Sequence, residues 1–231
     1  MAFDVTLEDV SFVPGSRARD GVLARPAGDG SHPAIVLIQE WWGLEPHILD
    51  LCRKLAAGGF VVLAPDLYHG EVAHHPDEAE RKMLALRMDQ AVDEIAHAVA
   101  YLKVRPDVSP RKVGIVGFCM GGHLTWKAAE RLGDHVQAIA PFYGGGYAPT
   151  EADIRKIEAP VLAIWAEHDG WIPAEAREHI IELLRKTGRS HEVWVAPAEH
   201  AFMNDTRPRY DATCARVGFE KLNAWFHRHL A

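Results

Sequence analysis

Short, dense apolar runs punctuate the chain at Ala34 to Ile38, Phe60 to Ala64, Val113 to Val116, Ala138 to Phe142, Val161 to Trp165 and Val193 to Val195. Each is strand-length and rich in Val and Ile, the composition expected where both faces of a strand are covered. Ahead of them, Val5 to Phe12 and Gly21 to Arg25 flank a turn holding glycine, arginine and aspartate, which predicts an opening β-hairpin. Between the runs the apolar spacing changes to three and four. Ile48, Leu51, Cys52 and Leu55 form one such stripe, stopped by Gly58-Gly59. From Met83 onward, Val92, Ile95, Ala96, Val99 and Leu102 share a face up to Pro106. Pro173 stands where a helix bearing Ile180, Leu183 and Leu184 begins, and Gly218, Leu222, Trp225 and Phe226 mark a C-terminal helix.

Strands alternating with helices predict an α/β fold: a mostly parallel, doubly wound sheet with helices on both faces. No internal repeat, low-complexity tract or linker interrupts the pattern, so residues 1–231 are expected to form one domain. Chemistry in such sheets gathers at the carboxyl ends of the strands, which makes the loops after each run the ones to search. His69 to Pro76, polar and containing histidines, is expected to be a lid or a solvated loop.

Composition removes several classes of function. A formal charge of −7 argues against a nucleic-acid or anionic-membrane partner, since both need clustered positive charge. Cys52, Cys119 and Cys214 are too few and too scattered for a disulfide framework or a zinc site, and reduced thiols point to the cytoplasm. The opening MAFDVTLEDV carries acids where a signal peptide needs bases, and no apolar stretch approaches a membrane span. No metal or organic cofactor is called for. His74 and His75 lack a second ligand pair at metal spacing and are expected to be solvated.

Candidate chemistry sits after the Val113 to Val116 run, where Gly117-Phe118-Cys119-Met120-Gly121-Gly122 leads into a helical segment. A nucleophile perched on a strand–turn–helix junction needs small neighbours two residues away on each side, because its backbone is strained and the flanking chain is crowded. The helix start beneath it favours developing negative charge. By composition, G-x-C-x-G arises about 0.02 times in a chain with this many glycines and cysteines. The alternative is a tight glycine turn around an inert packing thiol, which is the reading that suits Cys52 and Cys214 within their helical stripes.

With these residues in view, the chain resembles the dienelactone hydrolases (carboxymethylenebutenolidases) of the α/β-hydrolase superfamily over nearly its whole length. The landmarks are Gln39-Glu40-Trp41-Trp42-Gly43, Pro65-Asp66-Leu67-Tyr68, the Cys119 turn, His168-Asp169 and Glu199-His200-Ala201-Phe202. The resemblance implies an α/β-hydrolase fold and hydrolysis of a small-molecule ester or lactone. Such folds order nucleophile, acid and base along the chain. Asp169 follows the Val161 to Trp165 strand and His200 follows the last strand, so both are placed on the active edge. His200 would take the thiol proton and return it to the leaving alcohol, with Asp169 fixing the imidazole tautomer. The backbone N–H groups of Met120 and Trp41 would form the oxyanion hole. His168 and Glu167 are the rival base and acid.

The resemblance also implies a role for Glu40. The family's matching glutamate contacts the thiol at rest, then moves on substrate binding and helps form the thiolate. The plainer reading is a cap or loop carboxylate before a helix starting near Pro46. In one respect the chain departs from the family, which binds a substrate carboxylate with two arginines. One of those positions is Asn204 here, with Arg207 and Arg209 close by; the other corresponds loosely to Arg81 or Arg87. Trp41, Trp42, Tyr68, Tyr143, Trp171 and Phe202 would line an apolar pocket for a bulkier ester, or serve as core packing. Alternatives in other classes are a ligand-binding protein that kept the fold and a thioesterase or peptidase on it.

Overall fold

A computed structural model describes residues 2–16 and 19–231. Arg17 and Ala18, in the turn expected after the first strand, lie outside the described residues. Eight strands form one sheet: β1 Val5–Val10, β2 Gly21–Pro26, β3 His32–Ile38, β4 Val61–Pro65, β5 Val108–Phe118, β6 Ala138–Phe142, β7 Val161–Ala166 and β8 His191–Ala196. Their order is β1-β2-β4-β3-β5-β6-β7-β8. The β1–β2 and β2–β4 pairs are antiparallel and the rest parallel. Strands β4, β6 and β7 are buried at every position, which is why they appear in the sequence as unbroken apolar runs instead of alternating ones.

The helices are α1 Pro46–Ala57, α2 Pro76–Ala85, α3 Met88–Val104, α4 Met120–Leu132, α5 Glu151–Lys156, α6 Ala174–Lys186 and α7 Ala212–Leu230. The α1 helix starts on Pro46, whose missing N–H costs nothing in a first turn, and buries Ile48, Leu51, Cys52 and Leu55. One expectation changes: the stripe from Met83 to Leu102 belongs to two helices. Leu86 and Arg87 are extended and part α2 from α3, with no glycine or proline to announce the break.

Sheet order places the site. From β3 the chain crosses through α1 to β4 on one side, whereas from β5 it crosses through α4 to β6 on the other. Right-handed crossovers then put α1 and α4 on opposite faces. Between the carboxyl ends of β3 and β5 the two crossovers diverge and leave a crevice, the place where α/β sheets bind ligands. The residues that open onto it are Glu40-Trp41 after β3 and Cys119 after β5.

Candidate active site

Cys119 sits between β5 and α4 with φ 55° and ψ −114°, a backbone conformation that L-residues avoid and that costs about 1–3 kcal/mol. The glycines around it permit close backbone approach. A Cβ on Gly117 would stand 2.1 Å from the Gly121 carbonyl oxygen, one on Gly121 2.5 Å from that of Ile38, and one on Gly122 2.4 Å from that of Phe142. Among the described non-glycine residues with positive φ, Cys119 and Ala201 line this crevice, and Tyr143 is buried against Glu40, which lines it too.

His200 and Asp169 arrive from the loops after β8 and β7. Nδ1 of His200 lies 2.7 Å from Oδ2 of Asp169, and both side chains are almost fully buried. Oδ1 of the same carboxylate accepts from the backbone N–H groups of Trp171 and Ile172 at 2.9 and 3.1 Å. These bonds fix the carboxylate, so the imidazole is oriented by an acceptor that cannot swing away. Among the described residues, Nε2 of His200 has no hydrogen-bond partner, and it belongs to a cleft that Cys119 also lines. The rivals fall away from this geometry: Glu167 and His168 are exposed.

Glu40 is 1% exposed and lies at the end of β3. Burial, with smaller contributions from Glu45 on one side and Asn204, Tyr143 and Arg207 on the other, lifts its pKa to about 7. Its Oε2 accepts from Nδ2 of Asn204 at 2.7 Å, and its Oε1 accepts from the Tyr143 hydroxyl at 3.4 Å. Asn204 Nδ2 also donates to Glu45 at 3.0 Å, and Glu45 receives Arg207 at 2.7 Å. Two buried carboxylates are thus bridged by one amide and balanced by one guanidinium. The plainer reading of Glu40 as a helix cap does not hold, because Glu45 occupies the position before α1.

The Cys119 thiol is held well above its usual pKa, first by burial and then by the nearby Glu40 charge, while the backbone N–H groups of Met120 and Trp41 pull the other way. Those two N–H groups therefore face the sulfur. Cys52 is a contrasting case: buried inside α1, its thiol is pushed up to about 12 with no catalytic neighbour. Cys214 is also buried and free.

The remaining candidates scatter. Trp41 and Trp42 line the cleft, as does Arg207, whose guanidinium lies 3.6 Å from the centre of the Trp42 ring. Tyr143 faces Glu40 from full burial. Tyr68 gives its hydroxyl to the Met120 sulfur at 3.4 Å and supports the turn from beneath. Phe202 is fully buried against Tyr143 and Trp194, so it packs the core and meets no ligand. Asn204 is likewise fully buried and spends its amide on Glu40 and Glu45. Arg81 is exposed, bonds back to the Asp77 carbonyl of its own helix, and is not among the residues lining the cleft. Glu45, Met83, Met88, Asp77 and Glu80 also border the site or its supports; no motif marked them, and only their placement by α1, α2 and α3 brings them in. Among the described residues no cluster of His, Cys, Asp and Glu could hold a metal ion.

A doubly wound sheet with a strained strand–turn–helix junction at its switch point marks the α/β-hydrolase class. More narrowly, the chain belongs to the dienelactone hydrolase family, whose model matches residues 19–230. It is 36% identical to Protein usf of Aquifex pyrophilus, over 91% of this chain and 93% of that protein. It is equally identical, with the same coverage, to an Aquifex aeolicus protein provisionally named a carboxymethylenebutenolidase. The crystal structure of a Klebsiella pneumoniae protein provisionally described as a dienelactone hydrolase superposes with a TM-score of 0.87 at 27% identity, covering 98% of this chain and all of that one. The protein is accordingly a carboxylic ester hydrolase acting on esters or lactones. Among the described residues no helix is long and apolar enough to cross a membrane.

Proposed function

We propose that the chain, acting as one cytoplasmic domain of residues 1–231, cleaves small carboxylic esters or lactones through a thioester on Cys119. The observation that carries this reading is the buried contact of 2.7 Å between His200 and Asp169, which leaves Nε2 of His200 unpartnered in the cleft shared with Cys119. An ester carbonyl oxygen entering the crevice takes over the Met120 and Trp41 N–H groups that face the sulfur at rest. The displaced sulfur passes its proton to His200 Nε2 and attacks the carbonyl carbon. Collapse of the tetrahedral adduct expels the alcohol oxygen, which takes that proton from His200. Water, deprotonated by the same nitrogen, then hydrolyses the thioester and restores the thiol.

Glu40 acts on the nucleophile before substrate arrives. Its charge beside the sulfur keeps Cys119 protonated, and a protonated thiol resists oxidation. Turnover of p-nitrophenyl acetate that iodoacetamide abolishes is the expected result. Full activity in Cys119→Ala would remove the mechanism.

A further inference from the structure

The crevice above Cys119 has two lobes. Trp41 and Trp171, whose ring centroids stand 5.3 Å apart at 66°, border both lobes, as do Cys119 and His200. The smaller lobe, about 490 Å³, contains Arg207 and Arg209. Neither guanidinium is unengaged. Arg207 pairs with the buried Glu45 at 2.7 Å, and Arg209 pairs with Glu199 at 3.1 Å while lying over Trp171. Turning Arg207 toward a substrate carboxylate would strip Glu45 of its cation in a buried setting, which is unfavourable.

The larger lobe, about 600 Å³, has a different lining. Met120 from α4, Met83 from α2 and Met88 from α3 supply adaptable apolar surface, and among the described residues no lysine or arginine borders it. Its charged members are the carboxylates Asp77 and Glu80, exposed on α2. His123, which also borders it, has its pKa lowered by burial and its Nδ1 engaged with the Gly145 carbonyl at 2.9 Å.

Resting on the hydrolase reading above, we propose that this lobe takes an uncharged alkyl or aryl arm of the ester, and that Asp77 and Glu80 exclude an anionic one. The substrate class is then neutral esters, selected by methionine surface on one side and by carboxylate repulsion at the rim.

The test compares kcat/KM for p-nitrophenyl butyrate with that for mono-p-nitrophenyl succinate, which differs in carrying a terminal carboxylate. Butyrate should lead by about tenfold at low ionic strength, as two rim charges acting through water would give. The gap should shrink in 0.5 M salt and approach unity in Asp77→Asn/Glu80→Gln, whose exposed sites leave folding undisturbed. An enzyme dependent on Cys119 that prefers succinate, or a ratio that neither salt nor the double variant moves, would overturn the inference alone. Failure to hydrolyse either ester, or rates that survive Cys119→Ala, would overturn the hydrolase reading and this inference with it.

Discussion

The Cys119 turn and the α2 side of the cleft border the same space but are built by opposite means. At the turn, backbone meets backbone: the Cβ positions of Gly117, Gly121 and Gly122 are all filled by main-chain atoms. On the α2 side, half-buried Met83, packed against the core, and exposed Asp77 and Glu80 supply the surface through side chains and not backbone. Backbone crowding admits few substitutions, whereas a side-chain wall can change without disturbing the fold. On the proposed mechanism the reacting atoms are held by backbone architecture, and selectivity is left to a side-chain wall.

The sharpest way to probe the fixed region is Asp169→Asn. Asparagine keeps Oδ1 for the Trp171 and Ile172 N–H groups, but it can offer a donor where Nδ1 of His200 needs an acceptor. The imidazole tautomer is then wrong, and kcat on p-nitrophenyl acetate should fall about 10³–10⁴-fold with little change in Tm. A fall of tenfold or less would mean that His200 needs no orienting acid. Gly121→Ala should act on stability instead, since its Cβ would stand 2.5 Å from the Ile38 oxygen and 2.6 Å from that of Gln39. Both are main-chain atoms that cannot rotate aside, so a loss of about 2–3 kcal/mol in urea unfolding is expected. Met83→Leu, a swap that conserves volume on the α2 side, should cost well under half as much.

Glu40 lies between the two regions, fixed by β3 yet tuned by side chains. Its pKa in the fold is about 7 against an ordinary 4.5, so the folded state holds a proton that the unfolded chain releases between these values. Its contribution is fully present below about pH 4.5 and is lost as pH rises through about 7, a difference on the order of 3 kcal/mol. Urea midpoints at pH 5 and pH 8 should differ more for the wild type than for Glu40→Gln. The same variant removes one of the influences that raise the Cys119 pKa, so iodoacetamide should modify Cys119 about tenfold faster at pH 8. Unchanged alkylation would separate Glu40 from control of the thiol.

The fixed region was the more legible in sequence, for a physical reason. Strands covered on both faces must be apolar throughout, and a nucleophile turn must have its glycines, so local composition reports both directly. The two ends of β5 were less visible: the apolar signal covers Val113 to Val116, but pairing with β3 extends the strand to Val108–Phe118 through a register shift near His32. The break between α2 and α3 carries no glycine or proline, because Leu86 and Arg87 turn the chain with ordinary dihedral angles. Glu45 carries no mark in the sequence, yet its carboxylate binds Asn204 and Arg207, more than 150 residues away in the chain. Long-range polar pairings of this kind leave no periodicity behind.

The weakest expected effect tests the variable region most directly. Matching the sequence to its family points to Arg81 as a carboxylate ligand, whereas the fold exposes it on α2 with Nε bonded to the Asp77 carbonyl 3.2 Å away. Arg87, the other candidate, lies beyond the end of α2 and borders a separate depression with Tyr68, Lys82 and Glu94. Removing an exposed side chain of this kind usually shifts stability by no more than about 0.5 kcal/mol. Arg81→Ala should therefore leave kcat/KM for p-nitrophenyl butyrate and for mono-p-nitrophenyl succinate within about twofold of wild type. A tenfold loss confined to succinate would place a working cation on α2, and the contrast between a fixed turn and a variable wall would then fail at that helix.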